Sequence, residues 1–76
     1  MIEWSERYNC HTAQIAKGAL RLSVNWSMNR ERQGYDVCVN DRRLVEPIKD
    51  ITEAKAAAVR LAKKIANEIV EELKDV

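Results

Sequence analysis

Residues Thr52 to Lys74 read TEAKAAAVRLAKKIANEIVEELK, and this stretch decides the fold. Ala54, Ala58, Leu61, Ile65, Ile69, Leu73 and Val76 recur at spacings of three and four, which places them on one face of an α-helix. Arg60, Lys64, Asn67, Glu71 and Asp75 fall on the opposite side. The stretch holds no Gly or Pro and is rich in Ala, Lys, Glu and Leu, all good helix formers. Asp50 or Thr52 caps its start, and from Asp50 the third helical position is Glu53, close to a capping box. The apolar stripe is small where the helix begins (Ala54, Ala57, Ala58) and large further on (Ile65, Ile69, Leu73), so its first turns can approach a sheet closely.

Length adds a second expectation. At ~1.5 Å per residue the helix is roughly 35 Å long, whereas strands of about seven residues reach some 23 Å at ~3.3 Å each. The last turns therefore overhang any sheet this chain can build. Val59, Ala66 and Val70, continued by Leu73, form a further apolar ridge beside the main stripe. Either it packs on the N-terminal segment through Ile2, Trp4 or Tyr8, or it is a homodimer seam. Glu68, Glu71, Glu72 and Asp75 crowd the negative end of the helix dipole, opposed only by Lys74. Either that end is solvated and frays, or its carboxylates face a basic partner.

Upstream, Leu20, Leu22, Val24 and Trp26 alternate with Ala19, Arg21, Ser23 and Asn25, a half-buried strand. Residues from Ser27 to Gly34 are polar and charged, hence a loop. Tyr35, Val37 and Val39 alternate with Asp36, Cys38 and Asn40, a second strand, and Asn40-Asp41 fits a tight hairpin turn. A third strand, from about Arg43 to Ile48, contains Pro47, which implies an edge strand or a bulge. The expected fold is α+β: a three-stranded antiparallel β-meander packed on one long C-terminal helix, in the order β-β-β-α. One domain spans 1–76, with an irregular arm or short strand over 1–14, the meander over 15–48 and the helix over 51–75. Leu20, Leu22, Val24, Tyr35, Val37, Val39 and Leu44 would meet Ala58, Leu61, Ile65 and Ile69. The open face would carry Arg21, Ser23, Asn25, Asp36, Cys38, Asn40 and Arg43.

Composition narrows the function. The 76 residues carry 13 basic and 12 acidic side chains, net +1, so neither a polycation nor an acidic DNA mimic is indicated. The charge is uneven: Lys17, Arg21, Arg30, Arg32, Arg42 and Arg43 outnumber the acids between positions 17 and 43. Two cysteines, Cys10 and Cys38, make no secreted-type disulfide framework. The opening residues lack the apolar run of a signal peptide, and no segment is apolar enough to span a membrane. The expected setting is cytoplasmic. His11 is the single histidine, Cys10-His11 with Cys38 lacks Cys-x-x-Cys spacing, and Gly18 and Gly34 stand alone. The expectation is no catalytic residue, no metal, no cofactor and no small-molecule substrate.

What remains is binding. Arg21, Arg30, Arg32, Arg42 and Arg43 could meet phosphates, and Asn25 or Arg21 could reach base edges from a strand in the major groove. The order of three strands and then a helix is similar to that of integrase arm-site-binding domains. The expected open face has no stacking aromatics, which argues against single-strand recognition. The other class is protein binding, with Glu68, Glu71, Glu72 and Asp75 occupying a basic groove, or with the helix ridge self-associating in a structural role.

Three runs also carry a resemblance: residues Ala16 to Val24 (AKGALRLSV), Gly34 to Asn40 (GYDVCVN) and Ile51 to Ala58 (ITEAKAAA). Together they resemble small phage and prophage accessory proteins of β-β-β-α type, which read as a strand, a Gly-aromatic strand, a hairpin and a Thr/Ser-x-Glu-Ala-Lys helix start. Asp41 departs from that pattern, standing where a turn glycine is expected. The resemblance implies a phage accessory protein, with inhibition of a host protein or protein–nucleic-acid complex, as by anti-CRISPR proteins, as one role.

Overall fold

The computed structural model describes residues 2–27, 31 and 33–74. Five antiparallel strands lie in sequential order, β1 (Ser5–Arg7), β2 (Cys10–Ile15), β3 (Leu20–Ser27), β4 (Gly34–Val39) and β5 (Arg42–Arg43), followed by one helix, α1 (Ile51–Leu73). The antiparallel sheet and the C-terminal helix agree with the sequence; the expected count of three strands does not. The sequence predicts an irregular arm or a short strand over residues 1–14, and β1 and most of β2 lie within them. On β2, His11, Ala13 and Ile15 pair with Val24, Leu22 and Leu20 and so share their helix-facing side. A polar, a small and a large residue in sequence hide the alternation that marks β3. β1 is three exposed residues long and has no apolar pattern to show.

The core forms where the sheet meets the small-residue half of α1. Ala13, Leu22, Val24, Val37 and Val39 pack against Ala54, Ala58, Ala62 and Ile65. Each fully buried Leu or Val contributes about 1.5–3 kcal/mol relative to exposure, so Leu22, Val24, Val37 and Val39 dominate the fold's driving force. Ile2, Trp4, Leu20, Tyr35, Leu44 and Leu61 are half-buried around this centre. Ile69, expected in the core, is 49% exposed. The reason is length: the last buried residue of α1 is Ile65, and the helix continues for roughly 12 Å beyond it at ~1.5 Å per residue.

Turn chemistry sets the register. Tyr8 and Asn9 join β1 to β2, with Asn9 at φ 58. Ala16, Lys17 and Gly18 all have positive φ in the β2–β3 turn, closed by the Ala19 N–H on the Ala16 carbonyl at 3.2 Å. Asn40, at φ 54, replaces a glycine because Asn tolerates that conformation and its side chain is used. Its Oδ1 accepts from the Arg21 N–H at 2.9 Å and its Nδ2 donates to the Ala19 carbonyl at 3.3 Å, stitching the end of β4 to the start of β3.

The third expected strand, Arg43 to Ile48, is broken. β5 ends at Arg43, and the chain leaves the sheet before returning at Ile48, which exchanges two backbone hydrogen bonds with Tyr35 (2.7 and 3.0 Å). Pro47, which cannot donate to a ladder, lies in the excursion. It passes so close to Gly34 (φ +140) that a Cβ there would sit 2.9 Å from the Pro47 Cβ. α1 then starts at the expected cap: the Glu53 N–H donates to Asp50 Oδ2 at 3.1 Å.

Candidate functional site

The strand registers decide which side chains share the uncovered face of the sheet. One row crosses it as Arg7, Cys10, Asn25 and Asp36; a second runs Ser5, Thr12, Ser23, Cys38 and Arg43; a third pairs Gln14 with Arg21. No large aliphatic side chain interrupts these rows. Arg7, Arg21 and Arg43 stand at three separated points, while Asp36 is the acid within the rows and is already bonded to Arg43 at 3.3 Å. A shallow depression lined by Thr12, Gln14, Gly18, Arg21, Ser23, Asn40 and Asp41 lies at one end. The face thus offers cationic and hydrogen-bonding groups with little apolar area, the chemistry that meets phosphate oxygens or acidic side chains.

Of the arginines assigned to nucleic acid from sequence, Arg21 and Arg43 are on this face together with Asn25. Arg42 is not. Its register partner is Val39, a core residue, so Arg42 points to the helix side and forms an ion pair with Glu68 of α1. Arg30 and Arg32 lie outside the described residues, as does Asp75. Arg7, Thr12 and Gln14 escaped the sequence reading because β1 and β2 did. The alternation Cys10, Thr12, Gln14 against His11, Ala13, Ile15 was the signal available.

The acids at the helix end are largely engaged. Glu68 is bonded to Arg42, and Glu71 accepts from Lys74 Nζ at 3.1 Å. The Arg42 hydrogen bond holds the Glu68 carboxyl below its ordinary value, and the same bond raises the Arg42 guanidinium. Among the described residues Glu72 has no ion-pair partner, and its charge adds to the raising of the Arg42 guanidinium. Along the ridge offered as a dimer seam, Val59 and Ala66 are half-buried, while Val70 and Leu73 are 52% and 63% exposed. Ile2 and Trp4 of the N-terminal segment do pack on the core, whereas Tyr8 is 94% exposed.

At the other end of α1, Lys55 Nζ donates to Glu6 Oε1 at 2.7 Å and lies 5.4 Å from the centre of the Trp4 ring. His11 Nδ1 is 3.5 Å from the same carboxylate oxygen without forming a hydrogen bond. The Lys55 hydrogen bond, ahead of its charge, holds Glu6 below its ordinary value. Cys10 and Cys38 are unbonded to one another, and the described residues contain no group of three or more His, Cys, Asp or Glu able to hold a metal. No helix among them is long and apolar enough to cross a membrane. No protein-family model matches the chain, and no curated protein or solved structure is significantly similar to it.

Proposed function

We propose that this chain is a non-enzymatic binding protein of the phage-accessory kind. It works in the cytoplasm as an inhibitor, in the manner of anti-CRISPR proteins, by covering an acidic surface of a host protein complex. The observation that carries this reading is the uncovered sheet face, where Arg7, Arg21 and Arg43 stand among hydroxyl and amide groups, with Asp36 ion-paired to Arg43 and Asp41 at the turn end. Such a face is broad enough to lie across a surface, and its cations pair with acidic side chains there. An acidic decoy at the helix end is the weaker reading, because Glu68 and Glu71 already have partners within the chain.

The test is capture of host complexes on the tagged protein, with and without nuclease, repeated with Arg7→Ala/Arg21→Ala/Arg43→Ala. The expected result is a stoichiometric protein partner that survives nuclease, is lost with the triple variant, and binds less tightly as salt rises. Retention of that partner by the triple variant would remove the sheet face from the reading.

A second reading uses the same face: sequence-tolerant binding of double-stranded DNA, favoured by Asn25 standing on β3 between the strands that carry Arg7 and Arg43. It predicts direct binding of a bare duplex, and enrichment that vanishes with nuclease. No duplex binding at low salt would end it.

A further inference from the structure

A groove runs beside α1 on the helix side of the sheet, and neither reading uses it. One wall is a single stripe of the helix: Ala57, Arg60, Leu61 and Lys64, spaced i, i+3, i+4 and i+7. The other is the excursion between β5 and α1, through Leu44 and Ile48. Its volume is about 330 Å³, toward the lower end of ligand sites, roughly 300–1,000 Å³. Both walls are fixed before anything binds. The Leu44 N–H donates to the Val37 carbonyl at 3.0 Å, and Ile48 exchanges its two backbone bonds with Tyr35. Arg42 and Glu68 bridge strand and helix one turn beyond Lys64. A preformed groove loses little to ordering when it is filled.

The lining specifies what fills it. The floor is apolar: Leu44, Ile48 and Leu61 are half-buried against the core, and Ala57 is buried. The rim is cationic. Arg60 and Lys64 are exposed, and neither has an ion pair among the described residues. Glu68 feels the Lys64 charge, but its hydrogen bond goes to Arg42. No acidic side chain of the described residues lines the groove. Apolar area beside two uncompensated cations selects a ligand that is apolar and anionic at once. A nucleic-acid backbone brings nothing apolar to the floor, and a basic peptide is repelled at the rim. Arg60 and Lys64 stand one helical turn apart, with about 5–6 Å between Cβ atoms. Two acidic residues flanking one apolar residue on an extended chain are separated by roughly 6–7 Å, close to that spacing. A fatty acid carries one carboxylate and meets one cation only.

We infer that this groove docks an acidic peptide segment of a partner protein. One large apolar side chain enters between Leu44, Ile48, Ala57 and Leu61, and the acids on either side of it meet Arg60 and Lys64. Burial of the apolar side chain supplies affinity, and the charge pairs set the register of the peptide. The contact is separate from the uncovered sheet face and does not depend on what that face binds.

The test is an NMR chemical-shift titration of the isotopically labelled full chain with the peptide GDLDG, acetylated and amidated at its ends. Saturable shifts are expected, centred on the amides of Leu44, Ile48, Ala57 and Leu61. Replacing the leucine of the probe by glycine, or its two acids by lysines, should weaken binding by about tenfold or more. Arg60→Ala/Lys64→Ala should weaken it as much, and unshifted amides in the sheet confirm that this variant is folded. Absence of saturable shifts at about 5 mM probe would overturn the inference, taking millimolar binding as the threshold. So would equal binding of the leucine-free probe, or equal binding by the double variant. Octanoate binding at the same amides more tightly than the peptide would do so too, by making the groove a fatty-acid site. Arg7→Ala/Arg21→Ala/Arg43→Ala should bind the probe normally, which separates failure of this inference from failure of the sheet-face reading.

Discussion

Lys55 of α1 and Glu6 of β1, 49 positions apart in sequence, meet with Nζ 2.7 Å from Oε1. β1 pairs on one side only and all three of its residues are exposed. This ion pair, with Lys55 also beside the Trp4 ring, therefore holds the first strand against the helix. Glu6→Gln should lower amide hydrogen-exchange protection across β1 while leaving the global unfolding midpoint nearly unchanged, because exposed pairs add little to total stability. Unchanged protection in β1 would show that the ladder to β2 alone holds the strand.

Glu6 and Glu68 are both held below the ordinary glutamate range, by hydrogen bonds from Lys55 and Arg42. A carboxylate with a lower value folded than unfolded stabilises the fold above the unfolded value, about 4.3, and loses that contribution as pH falls through the folded one. Thermal unfolding followed between about pH 5 and pH 3 should show a falling midpoint, taking that reference range. The fall should be shallower in Glu6→Gln/Glu68→Gln. Equal slopes for the two proteins would place the acid sensitivity elsewhere.

The Asp50 cap satisfies the Glu53 N–H at the start of α1. Asp50→Ala should cost about 1 kcal/mol, the usual value of an N-cap, and Asp50→Asn much less. Urea denaturation is the measurement, and equal losses for both variants would point to charge rather than capping.

Gly34 stands where the chain returns from its excursion at Pro47. Gly34→Ala combines a positive φ with a Cβ 2.9 Å from the Pro47 Cβ. A loss of about 2 kcal/mol is expected, in the range of strained backbone positions. A neutral effect would mean that the Leu44–Pro47 segment moves aside freely.

Two leucines should respond very unequally to truncation. Leu22 is 1% exposed at the sheet centre and Leu73 is 63% exposed at the helix end. Leu22→Ala should cost about 2–4 kcal/mol through lost burial and a residual cavity. Leu73→Ala in dilute solution should cost less than about 0.5 kcal/mol. A comparable cost for Leu73→Ala would place that side chain in the fold's own core.

Sequence patterns reveal structure here where burial is one-sided and long. α1 keeps its stripe over 23 residues, and β3 and β4 bury Leu22, Val24, Val37 and Val39 on one face, so the alternation is unmistakable. β2 buries Ala13 alone and half-buries His11 and Ile15, so period two is hidden by residue size and polarity. The same gap cost the candidate surface Arg7, Thr12 and Gln14. Arg42 and Arg43 are adjacent in sequence and go to opposite faces, a distinction set by the Val39–Arg42 register rather than by composition.

The sheet tapers. β3 has eight residues, whereas the border strands β1 and β5 have three and two. A strand arriving from another molecule would find only a few unpaired backbone groups at either border, and at one of them Arg42 and Arg43 in its path. The outline of the sheet therefore acts as a stop to growth, protecting a protein with an uncovered β-face from stacking edge to edge into fibres.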